Sequence, residues 1–160
     1  MIDDIEIMLK AAVSEVFCKM LKTEVRAVPV DSEAMSAEAH IASAVGFIGD
    51  MTGVAYLYAS SSFANSMTAV MLGMGESEAQ GDEMVNDAMG ELANMIVGNL
   101  KAAMVEKGMS CVLTIPSIVR GSNISIEAVS SATRRVLCFR CGDGQNLVVE
   151  LMIKPPEPNE

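Results

Sequence analysis

The first apolar pattern along the chain is helical. Apolar side chains return every three or four residues between Ile5 and Met20, which is the spacing of one face of an α-helix. Asp3 or Asp4 can cap the first turn of this helix. We therefore expect an N-terminal helix that packs this face, with Met20 as its last member, on the rest of the molecule.

Two further helices are predicted in the middle of the chain. One follows the serines at 60–62, which offer N-caps, and ends at Gly73 or Gly75. Consecutive serines before an apolar helix are typical of caps, and we interpret them as caps rather than as nucleophiles. The other helix is longer, runs over about 82–107 and ends at Gly108.

Other apolar runs carry strand patterns. A short strand at 23–30 contains Pro29, and because proline cannot donate to a sheet ladder, we expect this strand at an edge. Residues 40–60 are typical of a hairpin whose turn contains Gly49 and Gly53.

The last third of the chain is rich in strand patterns, and a GDGQ turn separates the last two. The order of elements predicts an α+β fold, with about three helices packed on a largely antiparallel sheet. We expect one domain over residues 1–155 and a disordered, proline-rich tail at 156–160. The late strand patterns lie at 111–121, where Pro116 interrupts the run, and at 125–130, 134–141 and 146–154.

Composition and charge argue against a nucleic-acid-binding, membrane-inserted or secreted protein. The chain has 160 residues, of which 51% are hydrophobic, enough for one packed core. Its net charge of −10 repels phosphate backbones and anionic membranes, so we expect no nucleic-acid partner. No apolar run approaches the roughly 20 residues of a spanning helix. The acidic N-terminus lacks the basic region of a signal peptide, so we expect a cytoplasmic protein without membrane insertion.

Cysteine and histidine offer little metal chemistry. Cys18, Cys111, Cys138 and Cys141 are expected to be free, buried thiols in a reducing compartment. Cys138 and Cys141 stand three apart on a predicted strand, which sends them to opposite faces and favours packing over metal binding. His40 is the single histidine, lies at a strand start and is expected at the surface. We therefore expect no metal site.

The polar face of the long helix is the strongest functional candidate. Asp87, Glu91 and Asn94 share this face with Gly98 and Lys101, at about 100° of rotation per residue. Glu91 and Asn94 are three residues apart, so their side chains are neighbours. The opposite, apolar face consists of Val85, Ala88, Met89, Leu92, Ile96, Leu100 and Ala103.

Helix propensity makes this polar face unusual. Asparagine forms helices poorly, and Gly90 and Gly98 each weaken the helix by about 1 kcal/mol relative to alanine. Glycines flanking Glu91 and Asn94 would let the backbone of another protein approach closely. Asn99 points toward the apolar side, and we interpret it as a structural amide. A solvated surface face explains the same pattern, and the residues alone leave both interpretations open.

Asp87, Glu91 and Asn94 form the string D-x3-E-x2-N, and Pro116 follows. This arrangement resembles the signature of the CheC/CheX/flagellar-switch phosphatases of bacterial chemotaxis. GFIGDMTGVAYLYAS, GELANMIVGNLKA and TIPSIVRG resemble the family's glycine-turn hairpin, its active-site helix and the segment carrying its proline. The resemblance covers roughly residues 38–155. The spacing from Asn94 to Pro116 is one residue shorter than is usual in the family, a difference that a loop can absorb.

CheC-like members carry two E-x2-N sites, whereas this chain has one. Its first helix offers Glu15 and Cys18 at that spacing and lacks the amide. The single site resembles CheX, which implies a cytoplasmic homodimer. The resemblance also implies a phosphatase that hydrolyses the aspartyl-phosphate of a CheY-like response regulator, in chemotaxis or related two-component signalling.

The resemblance implies catalytic roles for two residues. The amide of Asn94 would orient the attacking water, because an amide donates and accepts at once. Glu91 would engage the partner's active-site lysine. No cofactor of its own is expected, since Mg2+ would belong to the partner receiver domain. The alternative is a non-catalytic adaptor of the same fold that binds a receiver domain or another signalling partner. The residues expected to support the site or bind the partner are Asp87, Gly90, Gly98 and Pro116.

Overall fold

The computed structural model describes residues 2–30, 39–75, 81–122, 131–142 and 144–154. The predicted strand at 125–130, Asp143 of the GDGQ turn and the tail at 156–160 lie outside these ranges. The elements within them are α1 (Ile2–Leu21), β1 (Val25–Val28), β2 (Ala39–Gly49), β3 (Gly53–Ser60), α2 (Ser61–Leu72), α3 (Asp82–Glu106), β4 (Cys111–Leu113), β5 (Ser117–Ser122), β6 (Thr133–Cys141) and β7 (Asn146–Ile153).

Local sequence sets the ends of the helices. The Ser60 hydroxyl accepts a hydrogen bond from the Phe63 amide at 3.1 Å, which confirms the predicted cap of α2. Gly73 ends α2 in the left-handed conformation, at φ 66°. In α1 the predicted apolar face is buried except for Met20, which is 40% exposed, because Leu21 takes the buried position in the last turn.

The strands form one sheet in which every described pair is antiparallel, and this confirms the predicted α+β class. The strand order is β1-β6-β7-β3-β2-β4, and β5 also pairs with β2. β1 lies at an edge and pairs with β6, as predicted, but it ends at Val28, so Pro29 follows the strand and does not lie within it. β2 and β3 form the predicted hairpin around Gly49 and Gly53.

The helices cover one face of the sheet and bury the main core against it. Alternate side chains of β2, β3, β6 and β7 meet the apolar faces of all three helices. Of the predicted apolar face of α3, all members are buried except Ala103, which is half-buried. Large core residues of this layer include Phe17, Phe47, Leu57, Leu92, Ile96 and Phe139.

The opposite face of the sheet carries a second, smaller buried cluster. Cys138 belongs to this cluster and Cys141 to the main core, so the pair lies on opposite faces as predicted. Cys111 is also buried, whereas Cys18 on α1 is exposed, which corrects the expectation of four buried thiols. The second cluster consists of Ala42, Tyr58, Cys138 and Val148.

The predicted surface position of His40 was wrong. His40 lies at the start of β2 and is only 7% exposed. The reason is that β2 is an interior strand at this point, where His40 pairs with Ser60 of β3 on one side and Gly121 of β5 on the other. In the described ranges, no helix is long and apolar enough to span a membrane.

Candidate active site

Both flanks of α3 are fixed by contacts within the chain. On one flank the Asn99 amide donates to Glu15 of α1 at 3.5 Å, which confirms Asn99 as a structural amide. On the other flank Arg120 of β5 donates from Nε to Asn86 Oδ1 at 2.7 Å. The same guanidinium pairs with the Asp82 carboxylate at 3.3 Å. The buried apolar side of α3 fixes the rotation of the helix, and the contacts of Asn99 and Arg120 lie at the two borders of its outward face.

Gly90 is buried beneath the connection between β4 and β5. A methyl group at Gly90 would lie 3.4 Å from Pro116 Cβ and 3.9 Å from Ile118 Cδ1. The space beside this glycine is therefore filled by side chains of its own chain, and the expectation that Gly90 admits a partner's backbone was wrong. Pro116 covers the helix one turn before Asn94.

The connection between β4 and β5 is a β-bulge. Both strands pair with β2, and residues 114–116 between them stand opposite only Val45 and Gly46. Thr114 closes the gap, since its amide donates to the Gly46 carbonyl at 2.9 Å. In return, the Gly46 amide donates to the Thr114 hydroxyl at 2.8 Å. The extra residue turns Pro116 toward α3 and leaves Ile115 pointing into solvent.

Asp87, Glu91 and Asn94 lie on the outward face of α3 between these two flanks. Helical geometry puts them within about 60° of arc. Asp87 and Glu91 are exposed, and Asn94 is half-buried. None of the three side chains has a hydrogen bond or ion pair with a described residue. Gly98, one turn beyond Asn94, has open space where a side chain would begin.

This arrangement suits the capture of groups from another molecule. A carboxylate attracts a cation, and an amide three residues further along can hold a water through one donated and one accepted bond. In the part of the chain that the structure describes, no group of three or more His, Cys, Asp or Glu side chains could hold a metal ion.

Arg120 and Thr114 are site-supporting residues that sequence reasoning missed. Arg120 lies in a run of strand residues, and nothing in its spacing connects it to α3. Thr114 stands two residues before Pro116, so the interrupted run was the available signal that a special backbone geometry begins there. Their roles become visible only when β5 is placed beside the helix.

The antiparallel sheet, its three helices and the helix-borne polar pair define a protein of CheC-like fold. A CheC-like superfamily protein from Shewanella sp. PV-4 matches with a TM-score of 0.80 and 21% identity, over 95% of this chain and 98% of that one. The chain belongs to the CheX family, described as chemotaxis phosphatase CheX, which matches residues 41–140. The matched region contains β3, α3, the bulge and all of β2 except its first two residues.

Two solved CheX structures share this fold. CheX from Desulfovibrio desulfuricans matches with a TM-score of 0.79 and 22% identity, over 94% of this chain and 99% of that one. The CheX of a CheX-CheY-BeF3-Mg2+ complex from Borrelia burgdorferi matches with a TM-score of 0.73 and 21% identity, over 92% and 96%. No curated protein sequence matches the chain.

Proposed function

We propose that this protein hydrolyses the aspartyl-phosphate of a CheY-like response regulator, in chemotaxis or a related two-component system. The observation that carries the proposal is the outward face of α3, where Glu91 and Asn94 stand side by side without a described partner, in a member of a phosphatase family. The Borrelia burgdorferi CheX structure contains CheY with BeF3 and Mg2+, which supports a receiver domain as the partner class.

Asn94 orients the attacking water in this proposal. An acyl phosphate is already activated, so its hydrolysis needs a water held in line with phosphorus more than it needs a new nucleophile. The Asn94 amide can accept a hydrogen bond from the water and donate one at the same time. Half-burial on a helix fixed at both flanks limits the directions in which this amide can point.

Glu91 engages the active-site lysine of the receiver domain. Its exposed carboxylate, one helical turn after that of Asp87, gives the face a local negative charge that attracts an ammonium group. The Mg2+ ion stays with the receiver domain. Gly90 and Pro116 support the site from within the chain, because their contact holds the bulge against α3.

We further propose that the protein acts as a cytoplasmic homodimer, which the resemblance to CheX implies. Sedimentation velocity at micromolar concentrations tests this, and a single species of monomer mass would contradict it.

Phosphate release from a phosphorylated receiver domain of the same organism tests the function. We expect acceleration by the wild type and its loss in Glu91→Ala and Asn94→Ala, with Asn94→Ala still able to bind. Asn99→Ala is the matched control, because it removes the same amide from the α1 side of the helix and should keep turnover. Tight binding by the wild type without acceleration would leave the adaptor function in place of the enzyme.

A further inference from the structure

Ile115 is an unusually exposed apolar side chain in a fixed position. It is 86% exposed, more than any other large hydrophobic residue among those described. Its neighbours hold it there, since Thr114 is hydrogen-bonded twice to Gly46 and Pro116 packs against Gly90. Because the backbone on both sides of Ile115 is already held, a partner that covers this side chain does not have to order the loop.

Ile115 flanks the candidate site on the Asn94 side. Pro116 covers Gly90, and Asn94 follows Gly90 by one helical turn on the same side of α3. A protein that contacts Asn94 from the solvent side therefore lies next to the bulge and can contact Ile115. Apolar residues scattered singly on a surface need no explanation, but this one borders the polar pair.

Charge gives a reason for an apolar contact at this edge. The first half of α3 exposes Asp82, Glu83, Asp87 and Glu91, and the whole chain carries a net charge of −10. A phosphorylated aspartate is itself negative, so apart from the proposed contact between Glu91 and a partner lysine, these carboxylates add no attraction for it. An apolar contact beside the polar residues is a source of affinity that this charge does not oppose.

We propose that Ile115 is a docking residue that packs against an apolar surface of the receiver domain beside its phospho-aspartate. This inference rests on the proposed function and adds the surface that binds the partner. Ile115 stabilises the bound ground state and the transition state equally, whereas Asn94 acts on the attacking water in the chemical step. The two residues should therefore affect different kinetic constants.

Steady-state kinetics with the phosphorylated receiver domain separates these effects. We expect Ile115→Ser to raise KM about tenfold with kcat within about twofold, the loss typical of one buried aliphatic contact. Ile7→Ser is the control, because Ile7 is an isoleucine of α1 that is 66% exposed. Its KM should equal that of the wild type. Binding to the same receiver domain loaded with BeF3 and Mg2+ gives a second readout, in which Ile115→Ser should weaken Kd about tenfold.

Each outcome decides between the two proposals. Ile115→Ser with the KM and Kd of the wild type would overturn the docking role even if Asn94→Ala abolishes turnover. Loss of affinity in Ile115→Ser together with full turnover in Asn94→Ala would support docking and refute the catalytic role of Asn94. A wild type that neither binds nor dephosphorylates the receiver domains of its own organism would overturn both.

Discussion

Two carboxylates of this molecule, Glu150 and Glu91, lie in opposite surroundings. Glu150 of β7 is 2% exposed, and both of its oxygens are paired. Arg134 donates to Oε1 at 2.6 Å, and the Tyr58 hydroxyl donates to Oε2 at 3.2 Å. Glu91 stands in solvent on α3 beside Asn94, and neither has a partner among the described residues.

Glu150 is a charge that the fold must pair internally, whereas Glu91 is free to bind a group of another molecule. A carboxylate removed from water must be paired, so the partners of Glu150 are requirements of the fold. A carboxylate in water costs the fold little and adds little to its stability. Glu91 and Asn94 can therefore be kept for a second molecule, and variants of the two regions should change different properties.

The largest expected effect is on turnover, at Asn94 beside the exposed Glu91. Asn94→Asp keeps the shape of the side chain but replaces its donor with a second acceptor. We expect kcat to fall about 100-fold, as on removal of one positioned donor, while the free energy of unfolding changes by less than about 0.5 kcal/mol. Single-turnover phosphate release and urea unfolding measure the two. Asn65→Asp on the exposed side of α2 is the control, and equal loss of turnover in both variants would break the comparison.

The next effect is on stability at the buried pair. Arg134→Ala leaves Glu150 with Tyr58 as its partner among the described residues, and we expect unfolding to become easier by about 2 kcal/mol. This is below the cost for a fully buried pair because the Arg134 side chain is 51% exposed. The kcat should be unchanged. Arg140→Ala on the same strand is the control, and urea unfolding should show that it loses less than about 0.5 kcal/mol of unfolding free energy. Similar losses in Arg134→Ala and Arg140→Ala would contradict a special role for Arg134.

The buried Glu150 region should also make stability depend on alkaline pH, through the hydroxyl of Tyr58. Burial raises the pKa of the Tyr58 hydroxyl, and the nearby Glu150 carboxylate raises it further. The unfolded chain therefore loses this proton first, near pH 10, and stability falls as pH rises above that value. Between pH 10 and 11 the wild type should lose about 1 kcal/mol more than Tyr58→Phe in urea unfolding. Parallel losses in the two proteins would show that another group titrates.

The smallest effect is expected at Gly98. Because a methyl group there meets open space, Gly98→Ala should stabilise the protein by up to about 1 kcal/mol through helix propensity. The same methyl group would obstruct a partner's backbone, so we expect KM for the phosphorylated receiver domain to rise with kcat unchanged. Thermal unfolding and steady-state kinetics measure the two effects. An unchanged KM would remove Gly98 from the proposed interface.

Local patterns were sufficient for the helices and the hairpin. The spacing of apolar residues in α1 and α3, the Ser60 cap and the glycines around the β2–β3 turn act within a few residues, so the sequence displays them directly. The outward direction of Glu91 and Asn94 also follows from helix geometry alone. These parts of the fold and site were predictable because neighbours along the chain determine them.

Tertiary placement decided what the sequence could not show. The burial of His40 depends on β5, which is more than 70 residues away along the chain. The sequence alone suggested that Gly90 leaves room for a partner's backbone, whereas in the fold Pro116 fills that space. Arg120 had no local sign of its contact with α3. Each of these depends on which strand lies beside which helix, a relation that periodicity does not carry.

The bulge at residues 114–116 also bears on how such a protein can change over generations. Because these three residues face two residues of β2, loss of the single codon for Ile115 would restore an unbroken ladder. Leu113 and Ile118 would keep the faces that they occupy now. An inherited deletion of one codon would thus remove the proposed docking residue and leave Glu91 and Asn94 in place. The choice of partner and the chemistry can then evolve separately.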